Sequence, residues 1–199
     1  RQRQMCIRDR INGVAVAVGV PITLASGSAL TLLADNRIEM TPSAIYNRLG
    51  VGATAIEAFA YTIADGFGSV DSATVTVTIN GVNDLPIARD DSAETYFDEA
   101  IRIDVLANDE DPDEGDVLRV RTLIDESRGA NGEIFIDRDG SIVFDPAGRF
   151  NDLRPGESRS VNFRYIVEDD HGGEAVAAIT IKVSGRNRPP IAGDDAFVV

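Results

Sequence analysis

Residues 74–79 read Thr-Val-Thr-Val-Thr-Ile, apolar at every second position, the period of a strand with one buried face. Residues 178–183, Ala-Ile-Thr-Ile-Lys-Val, follow the same pattern. Phe59, Tyr61 and Ile63 share one face of another alternating run, as do Phe163, Tyr165 and Val167. No segment keeps an apolar period of about 3.6 residues over the length of a helix. Gly, Asn, Asp and Pro separate the alternating runs, as turn chemistry requires. In the later half of the chain the pattern predicts seven strands, at 92–97, 101–106, 117–124, 132–137, 141–145, 158–168 and 174–183.

The alternation recurs because the sequence does. A shift of 104 residues aligns Leu30–Thr95 with Ile134–Val199 without a gap and gives 19 identities in 66 positions. Asp65, Gly68, Gly81, Asn83, Pro86, Asp90 and Asp91 fall on Asp169, Gly172, Gly185, Asn187, Pro190, Asp194 and Asp195. A fixed period of this kind marks a tandem array, and seven short strands in about 100 residues fit an immunoglobulin-like β-sandwich. The expected organisation is a truncated repeat at 11–85, a complete repeat at 86–189 and the start of a third at 190–199. Arg1–Arg10 reads like a common transposase sequencing adapter translated in frame. It is expected to be an artefact and is set aside from the fold. The first repeat then lacks its opening strand, so it should carry an unpaired sheet edge.

Charge narrows the function. There are 33 acidic against 19 basic residues, a formal net charge of -14. This disfavours nucleic acid and anionic membranes as partners and favours cations. One Cys and one His cannot build a disulfide or a His-rich transition-metal site. No apolar run reaches the length of a membrane-spanning helix, and direct membrane insertion is not expected. The acids are concentrated: Asp104–Asp116 holds seven acidic residues in thirteen and no base. Strand parity places this loop at the same pole as the linker 80–91 and the turns at 138–140 and 169–173. Crowded carboxylates repel, and a hard cation relieves that cost. Ca2+ accepts six to eight oxygen ligands in flexible geometry, which suits Asp- and Asn-rich loops. The candidate ligands are Asn108, Asp109, Asp111, Asp113, Asp169, Asn83, Asp84, Asp90 and Asp91.

Enzyme chemistry has no comparable pattern. His171 sits in the turn Asp-Asp-His-Gly-Gly, and no strand–glycine loop–helix unit surrounds Gly172 and Gly173. Paired carboxylates can act in glycoside hydrolysis, but here Trp is absent and no aromatic sugar platform lies near the acidic loop.

The segment from Phe59 to Asp91, with Asp65-Gly66, Thr74–Ile79, Gly81, Asn83-Asp84 and Pro86-Ile87-Ala88, resembles the bacterial cadherin-like repeats of large surface adhesins. VCBS-type repeats end similarly. Ile103–Asp113 resembles the opening of bacterial Ig-like domains. Asn83-Asp84 and Asp111-Pro112-Asp113 are similar to parts of the calcium-binding motifs of animal cadherins, which place calcium between successive domains. The resemblance implies an all-β chain of tandem immunoglobulin/cadherin-like β-sandwich repeats. It implies a non-catalytic, calcium-binding module of a secreted or surface-anchored bacterial adhesin, with calcium stiffening the junctions and roles in adhesion or biofilm. The implied partners are neighbouring repeats, a polysaccharide, or like repeats on other cells. Two alternatives stand beside it: an exopolysaccharide- or self-binding module, and an accessory domain of a secreted hydrolase.

Overall fold

A computed structural model describes residues 7–65, 67–125, 127 and 129–189. The chain divides into two compact units, residues 1–84 with 112–116, and residues 85–111 with 117–199. Apart from two short 3-10 turns, Ala44–Arg48 and Val105–Asn108, the regular elements described are strands.

The first unit contains β1 (Ile7–Ile11), β2 (Val14–Ala15), β3 (Pro21–Thr23), β4 (Ala29–Leu32), β5 (Ile38–Thr41), β6 (Thr54–Ala64) and β7 (Val70–Asn80). One sheet runs β2-β1-β6-β7 and the other β3-β4-β5. Ile11, Leu30 and Phe59 form its buried centre, with Ile22, Ile38, Met40, Val75 and Val77 packed around them. Asn12 and Gly13, at φ 49 and 79, make the tight turn between β1 and β2; both angles suit a primed hairpin turn, which favours Asn-Gly.

The second unit contains β8 (Asp91–Tyr96), β9 (Ile101–Ile103), β10 (Arg119–Ile124), β11 (Glu133–Ile136), β12 (Ile142–Asp145), β13 (Ser158–Glu168) and β14 (Glu174–Ser184). Its sheets run β10-β13-β14-β8 and β11-β12-β9. All neighbours are antiparallel except β14 and β8, which run parallel from Ile179↔Asp91 to Ser184↔Tyr96. Alternate residues of β13 and β14 point inward: Val161, Phe163, Tyr165 and Val167 meet Ala177, Ile179, Ile181 and Val183 in one core with Ile103, Ile142 and Phe144.

All seven expected strands form, six of them within two residues of the expected limits. The second strand ends at Ile103 rather than 106, because Val105 turns into the core and the backbone tightens into a 3-10 turn closed by Asp109 N–H on Leu106 O. Part of the segment expected to be an artefact lies within the described residues. Ile7–Arg10 supply most of β1, which pairs with β6 through Ile7↔Ala64. In the repeat register that place belongs to residues 15–20, because β10 begins with Arg119↔Glu168.

The repeat is also visible in backbone packing. Gly81 and Gly185 occupy the same repeat position, just after the last strand of their units. A Cβ on Gly81 would lie 2.1 Å from Leu49 O, and one on Gly185 2.0 Å from Arg154 O. Only glycine allows that close approach.

The two cores differ in one polar insertion. Glu57 is buried in the first unit, accepting hydrogen bonds from Ser28 Oγ (2.8 Å) and Tyr46 OH (2.7 Å). Burial alone would raise its pKa; the hydroxyls of Ser26, Tyr46 and Ser28 overcome that and hold it below the usual carboxylate range. The second unit has Val161 and Phe150 at the positions of Glu57 and Tyr46, both buried.

Candidate metal centre

In the second unit, the linker leading into β8 runs beside the loop that follows β9. Ile87 and Glu110 exchange backbone hydrogen bonds of 2.8 and 3.2 Å. This clamp holds two acidic stretches together. Arg89 N–H donates to Asp109 Oδ1 at 2.7 Å, and its guanidinium donates to Asn108 O and Glu110 Oε1, both at 2.5 Å. Asn108 Nδ2 reaches Asp90 O at 3.3 Å. Asp90, Asp91, Asn108 and Asp109 are thus gathered at one pole of the unit.

The Tyr165 hydroxyl is the hub of this cluster. It lies 2.9 Å from Asp91 Oδ2 and 3.1 Å from Asp109 Oδ2. The carbonyl oxygens of Arg89 and Val105 are also within reach, at 3.1 and 3.2 Å. One phenolic hydrogen serves one acceptor at a time, so this array is rich in acceptors and short of donors. Asn108 Oδ1 is shielded from solvent and accepts no hydrogen bond from the described residues.

Electrostatics follow from this crowding. Burial, and then repulsion from Asp109, Asp90 and Asp104, push the Asp91 carboxyl above its ordinary pKa, against the lowering effect of the Tyr165 hydrogen bond. Burial and the neighbouring Asp91 push the Tyr165 phenol upward as well, so it stays a donor. A raised carboxyl pKa means that the unfolded chain releases its proton first. Stability therefore falls as pH rises from the ordinary carboxyl value through the folded one, and the full penalty applies above it. Asp91→Asn keeps an acceptor for Tyr165 and removes the charge. Its melting midpoint in EGTA is expected to exceed that of the parent by a few degrees at pH 7 and to match it at pH 3. Equal midpoints at both pH values would contradict the crowding.

The first unit holds other candidates. Asp113 is 2% exposed, and its Oδ2 accepts from Asp84 N–H at 2.8 Å. Glu114 N–H donates to Arg48 O at 3.0 Å. Asn83 Oδ1 and Asp113 Oδ1 are both shielded from solvent. Asp116 belongs to the same unit, and Asp111 to the second.

Asp169 has a different local role. It is fully buried, and its Oδ1 accepts from His171 N–H and Gly173 N–H, each at 2.8 Å, closing the turn between β13 and β14. The next residue, Asp170, accepts from Val117 N–H at 3.0 Å and pins the end of the acidic loop to that turn.

Sequence reading missed two members of the site. Tyr165 was legible as a core residue, but its hydroxyl function was not. The available signal was that Tyr61 and Tyr165, and Asp91 and Asp195, each recur at the 104-residue period. Arg89 gave no signal, because its repeat counterpart is Gly193.

The donors gathered here are carboxylate, amide and carbonyl oxygens. With the shielded Asn108 Oδ1, this chemistry fits a hard divalent cation of flexible coordination such as Ca2+ rather than a soft metal.

The family model for the bacterial cadherin-like domain matches residues 83–185, just over half the chain, and that for the bacterial Ig domain matches residues 9–78. No curated protein matches. Solved structures that resemble the chain include human mucin-like protocadherin EC1-2, with 18% identity over 92% of this chain and 100% of that one, at a TM-score of 0.46. Protocadherin gamma B2 extracellular domains 1-5 are 16% identical over 81% of this chain and 31% of that one, at 0.43. Mouse clustered PcdhgC3 EC1-3 is 13% identical over 92% and 56%, at 0.43. Among the described residues, no helix is long and apolar enough to cross a membrane.

Proposed function

The chain belongs to the family of bacterial cadherin-like domains, and from that premise we propose that it is a calcium-binding structural and adhesive repeat of a large bacterial extracellular adhesin. One observation carries the reading. Asp91, Asp109 and the carbonyl oxygens of Arg89 and Val105 converge on the single hydroxyl of Tyr165, more acceptors than it can serve, and Asn108, whose amide oxygen is shielded, reaches the neighbouring Asp90 carbonyl. Such an array is costly when empty of counter-charge and favourable around a divalent cation.

On this reading Asp91, Asn108 and Asp109 hold calcium in the second unit. Asp111 is a further candidate ligand in the same unit, Asn83, Asp84 and Asp113 are candidates in the first unit, and Asp90 and Asp169 shape the surrounding loops. Arg89 neutralises part of the charge through Glu110, so the cluster does not spring apart without metal. Calcium then rigidifies the junctions between successive repeats, and the stiffened string carries an adhesive tip away from the cell. The module is non-catalytic, its partners are neighbouring repeats, and it works outside the cell.

Small-angle scattering of the full chain tests the mechanical part. Calcium at about 10 mM, roughly ten to a hundred times the Kd of extracellular calcium modules, is expected to narrow the distribution of end-to-end dimensions relative to EGTA. Identical distributions would rule out stiffening.

A further inference from the structure

Two stretches build the acidic cluster of the second unit: the linker into β8 and the loop after β9. From Asn83 to Ile101 the sequence has a single base, Arg89, and from Asp104 to Asp116 it has none. That one base is strapped across the run Asn108-Asp109-Glu110. Its N–H donates to Asp109 Oδ1 at 2.7 Å, and two arms of its guanidinium donate to Asn108 O and Glu110 Oε1, both at 2.5 Å. Its carbonyl oxygen lies 3.1 Å from Tyr165 OH and 3.5 Å from Asn108 Nδ2. The planar fork of the guanidinium thus brackets Asp109 through the residues on either side of it. The side chain is 47% exposed, so its charge acts through partly screened surroundings.

The position of the acids does not depend on this side chain. The backbone bonds between Ile87 and Glu110, and the bond from Arg89 N–H to Asp109, are open to other residues at 89. The repeat counterpart of Arg89 is Gly193, which also precedes two aspartates. The acids therefore recur in the sequence and the arginine does not. What the arginine adds is one positive charge, held beside Asp109 and Glu110.

We propose, on the calcium reading of this site, that the Arg89 guanidinium is a tethered counter-cation. It stabilises the metal-free cluster and sets its calcium affinity below what the same oxygens would give without it. The physical reason is competition. Without metal, the guanidinium faces carboxylates and is attracted to them. With a divalent cation among Asp91, Asn108 and Asp109, the same guanidinium has a like charge as its neighbour. It favours the empty state over the filled one, and by linkage that preference is read as weaker binding. A free cation must arrive from solution, whereas a tethered one is always present at high effective concentration.

Calcium titration calorimetry and thermal melting in EGTA, both on the full chain, test this. Arg89→Gln keeps the backbone N–H and removes the charge. It is expected to bind calcium about three- to tenfold more tightly than the parent at low ionic strength and to melt earlier in EGTA. The gain in affinity should shrink in about 1 M salt, where the Debye length falls to about 3 Å. Arg89→Lys keeps the charge without the fork and is expected to bind calcium as the parent does. Arg89→Gln with Glu110→Gln removes both members of the ion pair and leaves the net charge unchanged, so its affinity should return towards that of the parent. Unchanged affinity in Arg89→Gln overturns the proposal and leaves the calcium site standing. Weaker binding in Arg89→Gln also overturns it, because Arg89 would then serve to position the ligands. A parent chain without saturable binding overturns the calcium reading itself, and this proposal with it.

Discussion

Replacing Phe163 with alanine is expected to destabilise the second unit by about 3–5 kcal/mol, the usual cost of a large cavity in a close-packed core. Phe163 is 2% exposed, its ring lies 5.7 Å from that of Phe144, and it sits on the central strand β13 between β10 and β14. At about 4–8 °C per kcal/mol for a domain of this size, the second unit should melt at least about 12 °C earlier. Phe59 is its repeat counterpart and is almost as buried, at 4%. Its surroundings are looser, however, because Val75 and Val77 on β7 are only half-buried where their counterparts Ile179 and Ile181 on β14 are fully buried. Neighbours that can collapse into the vacated space reduce the cavity cost, so Phe59→Ala is expected to cost the first unit less than Phe163→Ala costs the second. Hydrogen exchange, read separately on β6 and β13, checks both. Equal losses in the two units would contradict the difference in packing.

Calcium is expected to raise the melting midpoint of the full chain by about 10–20 °C over its value in EGTA. A site occupied at 100 times its Kd adds about 2.7 kcal/mol, and about 4–8 °C follows from each kcal/mol. The increase should be largest at neutral pH, where the crowded carboxylates carry full charge, and should fade as pH falls and Asp91 takes up its proton. Asp91→Asn combined with Asp109→Asn is expected to abolish most of it. Asp111→Asn with Asp113→Asn tests the linker oxygens independently. Retention of the full increase in both double variants would place any calcium elsewhere on this acidic chain.

Strands were legible where side chains alternate against a single core. The run at 158–168 was read to its residue limits, because inward Val161, Phe163, Tyr165 and Val167 leave no other register. Reading failed where tertiary packing overrode the local pattern. Val105 extends the alternation of β9, yet its burial bends the chain into a 3-10 turn. Glu57 shares inward parity with Phe59 on β6, a signal that sequence reading passed over. Its hydroxyl partners come from distant turns that no period reveals. The acidic loop stood out by density of charge, but which acids converge was hidden. That depends on the Ile87–Glu110 clamp and on Tyr165, contacts made across long stretches of sequence.

Isothermal titration of the full chain with calcium, after removal of metal by EGTA and dialysis, tests the central claim most directly. The account predicts saturable binding with a Kd of about 10⁻⁴–10⁻³ M, weakened at least tenfold by Asp91→Asn with Asp109→Asn. Absence of saturable binding up to about 10 mM, ten times the weakest affinity expected of such modules, would contradict it and leave a β-sandwich array whose acidic loops serve only to keep it soluble.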